Sequence, residues 1–401
     1  MVAETRNYGT ISIGVRAPII REGDNLIEIV SESVIETSRQ LGLPLRDKDV
    51  VGITESIVAR AQGNYADISE IAEDVKQKFG EETVGVVFPI LSRNRFAICL
   101  KGIAKGAKKV VIMLSYPSDE VGNKLVSDDT FYRETHGNNG KFLTEKEFRY
   151  LFGETKHEFT GVDYIEYYKK IVKECGAEVE MVFSNDATEI LHYTKYVLAC
   201  DIHTRFVTKD RLFRAGAEVV YTLDDILAEP VKLGSGFNEK YGLLGSNKAT
   251  EDRIKLFPRD CQFLVEEIQK TLYAKTGKEI EVMIYGDGAF KDPQGKIWEL
   301  ADPVVSPAYT SGLWGTPNEL KLKYLADHDY GDLRGDALKE AIKSRIEQKE
   351  SNLVGQMASE GTTPRQLTDL LGSLCDLTSG SGDKGTPIVL IKGYFDNYTN
   401  N

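Results

Sequence analysis

The apolar run Glu281-Val282-Met283-Ile284-Tyr285 ends on Gly286-Asp287-Gly288. A strand there would present the Asp287 carboxylate at its end, on permissive backbone. That placement suits a hard divalent cation such as Mg2+ or Mn2+, although an Asp-Gly pair is also an ordinary turn. Asp292, Glu299, Asp302, Asp327 and Asp329 follow as further oxygen donors, and we take Asp302 as the second metal ligand. Upstream, Arg60 closes the run Glu55-Ser56-Ile57-Val58-Ala59. Its guanidinium can meet a phosphate with two parallel hydrogen bonds, and its other reading is a solvated surface charge. Asn247, by residue type, reads as a turn residue.

Three other groupings carry less. Cys200-Asp201-Ile202-His203 sets a thiol near an imidazole with no third member, which reads as structure. His328, between Asp327 and Asp329, has a proton affinity near neutrality but reads as a solvated side chain. Gly234-Ser235-Gly236 lacks the spacing and the lysine of a phosphate-binding loop and reads as a linker.

The elements that position these residues are legible in outline. Residues 11–20 form a β-rich run, and Asp24 is placed to cap a helix from Leu26 to a stop at Gly42. A buried strand follows at Asp49-Val50-Val51. From 101 to 237 apolar strands alternate with helices, the pattern of a parallel sheet, interrupted at 127–148 by what reads as a long surface connection. From 238 onward come an amphipathic helix closed by Gly277, the strand before Asp287, a long helix over 337–357 and a closing strand at 386–394. We therefore expect an α/β protein with segments 1–100 and 238–401 forming one mixed core and 101–237 a parallel α/β subdomain.

With 401 residues the chain can bury a large core, and its formal net charge of −12 argues against nucleic acid or an anionic membrane surface as partner. Neither a membrane span nor a signal peptide is evident, so the expected compartment is the cytoplasm. The five cysteines are scattered, with no CxxC pair, and read as buried thiols.

Three ordered segments resemble the coenzyme F420-0:L-glutamate ligase family. The first joins Ala17-Pro18-Ile19-Ile20-Arg21-Glu22-Gly23-Asp24 to Leu45-Arg46-Asp47-Lys48-Asp49 and to Thr54-Glu55-Ser56 through Gly63. The second is Tyr241-Gly242-Leu243-Leu244-Gly245-Ser246-Asn247 with Phe257-Pro258-Arg259-Asp260. The third runs from Ile284-Tyr285-Gly286-Asp287-Gly288 to Asp327-His328-Asp329-Tyr330-Gly331 and the tail Gly380-Ser381-Gly382-Asp383-Lys384-Gly385-Thr386-Pro387.

The resemblance implies a GTP- or ATP-dependent amide ligase using Mg2+ or Mn2+, an acid acceptor and L-glutamate, and a homodimer. It implies that Pro18, Ile19, Ile20, Glu55, Ser56, Arg60, Asn247, Ser381 and Gly382 meet the nucleotide, with Arg60 where the family usually has lysine. Asp287 and Arg60 become the catalytic candidates, and Asp287 matches a metal-binding aspartate. The other metal positions fall on Leu244, Gly288 and Ser381. Leucine cannot coordinate a metal, so a nucleotide-binding or sensing protein with altered chemistry is the alternative.

Overall fold

The computed structural model describes residues 7–138, 141–292, 296–359, 365–379 and 382–399. In chain order the elements begin with β1 (Ile11–Val15), α1 (Leu26–Leu41), β2 (Val50–Thr54), α2 (Glu55–Ala61), β3 (Tyr65–Asp67) and α3 (Ile68–Phe79). Then come β4 (Thr83–Val87), α4 (Phe96–Gly106), β5 (Lys109–Leu114), α5 (Asp128–Thr135), β6 (Leu143–Thr144), α6 (Glu145–Phe152), α7 (Tyr164–Glu174), β7 (Glu178–Phe183), β8 (Tyr196–Ala199), α8 (Arg205–Arg214) and β9 (Val219–Thr222). The last part holds β10 (Asn247–Lys248), β11 (Arg253–Lys255), α9 (Cys261–Thr276), β12 (Glu281–Tyr285), β13 (Phe290–Lys291), β14 (Trp298–Glu299), β15 (Ala308–Tyr309), α10 (Leu322–Tyr324), α11 (Gly335–Glu347), α12 (Leu367–Thr378) and β16 (Ile388–Lys392).

Two large sheets organise the chain. The first has the order β1-β16-β2-β12-β15, with β2 and β12 parallel and the other pairs antiparallel. Because side chains alternate between faces along a strand, Val51, Ile53, Val282 and Ile284 share an apolar cluster with Val30, Val34, Val265 and Ile268 of α1 and α9. On the other face Val50, Met283 and Tyr285 meet Leu371 and Cys375 of α12. Gly52 is needed there, because a Cβ would stand 2.3 Å from the Cys375 sulfur.

The second sheet has the order β6-β7-β5-β4-β8-β9 and is parallel except for β6. Its central strands are near-continuous Val, Ile, Leu and Met, as expected when helices cover both faces. It includes β4, from before residue 101, so this sheet is not confined to 101–237. A short sheet, β10-β11-β3, puts Ile254 into the parallel sheet's apolar cluster and Lys255 on Glu55 at the end of β2.

Local differences from the sequence reading have physical causes. Asn25, not Asp24, caps α1, accepting from Glu28 N–H at 3.3 Å, while Asp24 closes a turn onto Arg21 N–H at 2.7 Å. The 127–148 segment is no surface connection. Ser127 caps α5, Thr144 and Glu147 form a capping box on α6, and Phe131 and Phe148 bury against Tyr116. The helix begun near 335 stops at Glu347, beyond which Asn318 takes up the Glu350 carbonyl and the Leu353 N–H. Gly236 and its neighbours form a packed turn rather than a linker, with Gly236 N–H on the Tyr65 carbonyl at 2.9 Å and Ser235 buried. Among the described residues no helix is long and apolar enough to cross a membrane.

Candidate functional site

Strand directions bring distant segments to one edge of the mixed sheet. Thr54 lies opposite Tyr285 in the parallel pair β2–β12, so Glu55 and Asp287 leave the sheet on the same side. β16 begins at Ile388 opposite Ile53, and β1 ends at Val15 opposite Ile388, so the 382–387 tail and the 16–20 turn reach that side too. Hydrogen bonds tie them together: Thr54 N–H to the Pro387 carbonyl at 3.0 Å and Ala17 N–H to the Gly385 carbonyl at 3.3 Å.

The outer part of this edge is open. Pro18 and Ile19 are exposed, whereas Ile20 is buried and accepts from Arg60 Nε at 3.2 Å through its carbonyl. Arg60 is otherwise exposed, Ser56 is half-buried and Gly382 is exposed. Ser381 lies outside the described residues.

The inner part is a buried charge network. Glu55 takes two hydrogen bonds from Lys255 Nζ, at 2.8 and 2.7 Å, with both side chains under a tenth exposed. Asn247 pairs with Lys255 across β10–β11. Arg95, at the start of α4, gives Nη1 to Asp302 at 2.5 Å and Nη2 to Asp287 at 2.8 Å. Asp302 also accepts the Asp287 N–H at 2.9 Å, and Asp287 the Ala301 N–H at 3.1 Å. Asp376 of α12 accepts the Gly288 N–H at 3.0 Å. Gly286 makes room for this, since a Cβ would stand 2.2 Å from the Asp302 carboxylate.

Burial, reinforced by the Asp302 charge and opposed by Arg95, pushes the Asp287 carboxyl up to about 7. Burial likewise raises Glu55, against the pull of Lys255, and raises Asp376, against the Gly288 N–H. Burial works against the Arg95 charge as well, yet Asp302 and Asp287 outweigh it and hold the guanidinium above its ordinary pKa.

Asp287 and Asp302 thus stand together, but a guanidinium stands between them. Among the described residues no group of three or more His, Cys, Asp or Glu side chains is placed to hold a metal ion. Leu244 is buried in the core of the parallel sheet with Cys99 and Cys200. A divalent ion therefore does not fit the carboxylate pair as arranged.

Sequence reasoning missed Arg95, Lys255 and Asp376. Asp376 carried a signal, being the one acid in the last two turns of the apolar helix Leu370-Leu371-Gly372-Ser373-Leu374-Cys375-Asp376-Leu377. The remaining candidates behave as structure. Asp201 holds the Thr204 and Thr208 hydroxyls at 2.6 and 2.7 Å, His203 Nε2 lies 2.9 Å from the Leu300 carbonyl, and His328 is exposed, stacked on Tyr324 and paired with Asp329.

A family model described as F420-0:gamma-glutamyl ligase matches residues 14–393, a span that takes in the parallel sheet. No curated protein matches the sequence. Among solved structures, alanine racemase from Oenococcus oeni is similar at 10% identity over 44% of this chain and 57% of that one, with a TM-score of 0.15, which supports no argument about fold or function.

Proposed function

The chain belongs to the F420-0:gamma-glutamyl ligase family, and we propose on that footing that it joins a small acid acceptor to L-glutamate at the expense of GTP. The family is GTP-dependent, with F420-0 and glutamate as substrates. An acid and an amine do not condense in neutral water. The acceptor carboxylate must first attack the γ-phosphorus, releasing GDP and leaving an acyl phosphate; the amine then attacks the acyl carbon and phosphate departs.

The observation that carries the reading is the convergence of the 16–20 turn, Glu55–Arg60, Asp287 and the 382–387 tail on one sheet edge. Its outer part offers exposed backbone and the Arg60 guanidinium to the triphosphate. Its inner part holds more carboxylates than cations, with Asp287, Asp302, Glu55 and Asp376 against Arg95 and Lys255. Such a pocket favours an incoming amino group. Burial in this inner part also keeps water from the acyl phosphate. A homodimer is part of the proposal and is read by sedimentation.

The test is phosphate release and mass-spectrometric detection of an amide with GTP, Mg2+ or Mn2+, L-glutamate and a panel of acids that includes F420-0. Stoichiometric phosphate and amide are expected. Release at background across the panel by folded enzyme would sink the ligase reading. GTP binding without turnover would support the sensing alternative, which Leu244 and the Arg95 bridge favour.

A further inference from the structure

The Asp287–Asp302 pair is closed by a residue from the other sheet. We propose that Arg95, at the start of α4, is the resident cation of this pair and takes the place of a protein-held divalent ion there. The inference does not depend on which reaction the edge serves.

Three observations support it. The two guanidinium nitrogens divide between the two carboxylates, Nη1 on Asp302 and Nη2 on Asp287, so one planar cation spans the gap an ion would occupy. Backbone adds to the hold on these oxygens: Asp302 Oδ2 takes the Asp287 N–H, and Asp287 Oδ2, already bound by Arg95, takes the Ala301 N–H as well.

The root of Arg95 is fixed as well. Its N–H is bound to Ser92 Oγ at 3.0 Å, and the next residues, Phe96 through Leu100, are buried in the parallel sheet's core. The side chain is 18% exposed, with little solvent into which to withdraw.

Finally, Leu244 lines the same apolar cavity as the Arg95 stem, Cys99 and Cys200. An aspartate there would compete for the cavity's one cation, Arg95, which already serves Asp302 and Asp287. Leu244 brings no anion to this cavity, and Arg95 brings the cation that holds the two carboxylates beside it. A divalent ion placed between Asp287 and Asp302 would meet the guanidinium at contact distance, and like charges in so buried a site repel strongly.

The probe is Mn2+ alone, followed by electron paramagnetic resonance on the full nucleotide-free chain. Wild type and D287N should bind it equally weakly, because the guanidinium already fills the gap between the two carboxylates. R95A should bind at least tenfold more tightly, and the double variant R95A/D287N should lose that gain. An Mn2+ site in wild type that D287N removes overturns the proposal, and this comparison stands whether or not R95A folds. A folded R95A with no gain overturns it too. A merely structural role for Arg95 would shift the melting temperature without creating an Asp287-dependent Mn2+ signal.

Discussion

At the edge of the mixed sheet, carboxylates are met by side-chain cations; at the carboxyl-terminal edge of the parallel sheet they are met by backbone N–H groups. There Glu120 takes the N–H groups of Ile202, His203 and Thr204 at 2.6, 3.0 and 2.9 Å, at the start of α8. Asp119 takes those of Leu91, Val121 and Asn123 at 2.8, 3.1 and 2.8 Å.

A doubly wound sheet would ordinarily accept a phosphate at such a helix start, near the point where strand order reverses. Here that point lies between β4 and β8. Its donors are spent on Glu120, and the adjoining cavity is lined by Leu243 and Leu244. The difference is one of access: the helix start of the parallel sheet is closed from within, while the mixed-sheet edge keeps an arginine and open backbone at its mouth.

The comparison breaks most severely at Glu55. E55Q would leave Lys255 charged and buried without its partner, and loss of one member of such a pair costs about 3 to 5 kcal/mol. Urea unfolding reads it, and a loss under about 1 kcal/mol would mean that the pair is solvated rather than buried.

Asp119 gives the next effect. Burial pushes its carboxyl up to about 6 from 3.8, so the folded state holds a proton that the unfolded state has released between those values. Stability from this group is fully present below about pH 4 and is lost as pH rises through about 6, at most about 3 kcal/mol in all. Melting temperatures of wild type and D119N, compared from pH 4 to 8, should diverge over that window and run parallel above it.

Arg60 tests the open edge. R60A should weaken GTP binding by about 1.5 to 3 kcal/mol without changing the melting temperature, as for a lost charge-assisted hydrogen bond. Calorimetry showing unchanged affinity would return Arg60 to a surface charge. Smallest is E120Q, expected to cost about 1 to 2 kcal/mol of stability and to leave GTP affinity as it was. A gain in affinity would show the parallel sheet's phosphate position to be available after all.

The fold was legible where periodicity carried it. Val110 to Leu114, Val282 to Tyr285 and the helix from Cys261 to Gly277 read correctly because burial on one or both faces leaves a pattern in the chain. The aromatic 127–148 segment was misread because its helices are short and their apolar positions few. The candidate site was legible only along its strands. Arg95 reaches Asp287 across 192 positions and Lys255 reaches Glu55 across 200, and pattern alone does not say which strand ends share an edge. That follows from sheet order, which sets β2 beside β12 and β16.

Hydrogen–deuterium exchange with a non-hydrolysable GTP analogue tests the central claim most directly, because it asks which edge the nucleotide meets. Slowed exchange is predicted at 16–21, 54–63 and 382–387, with 88–95 and 200–206 unchanged. Protection confined to 88–95 and 200–206 would place the nucleotide on the parallel sheet and contradict the account.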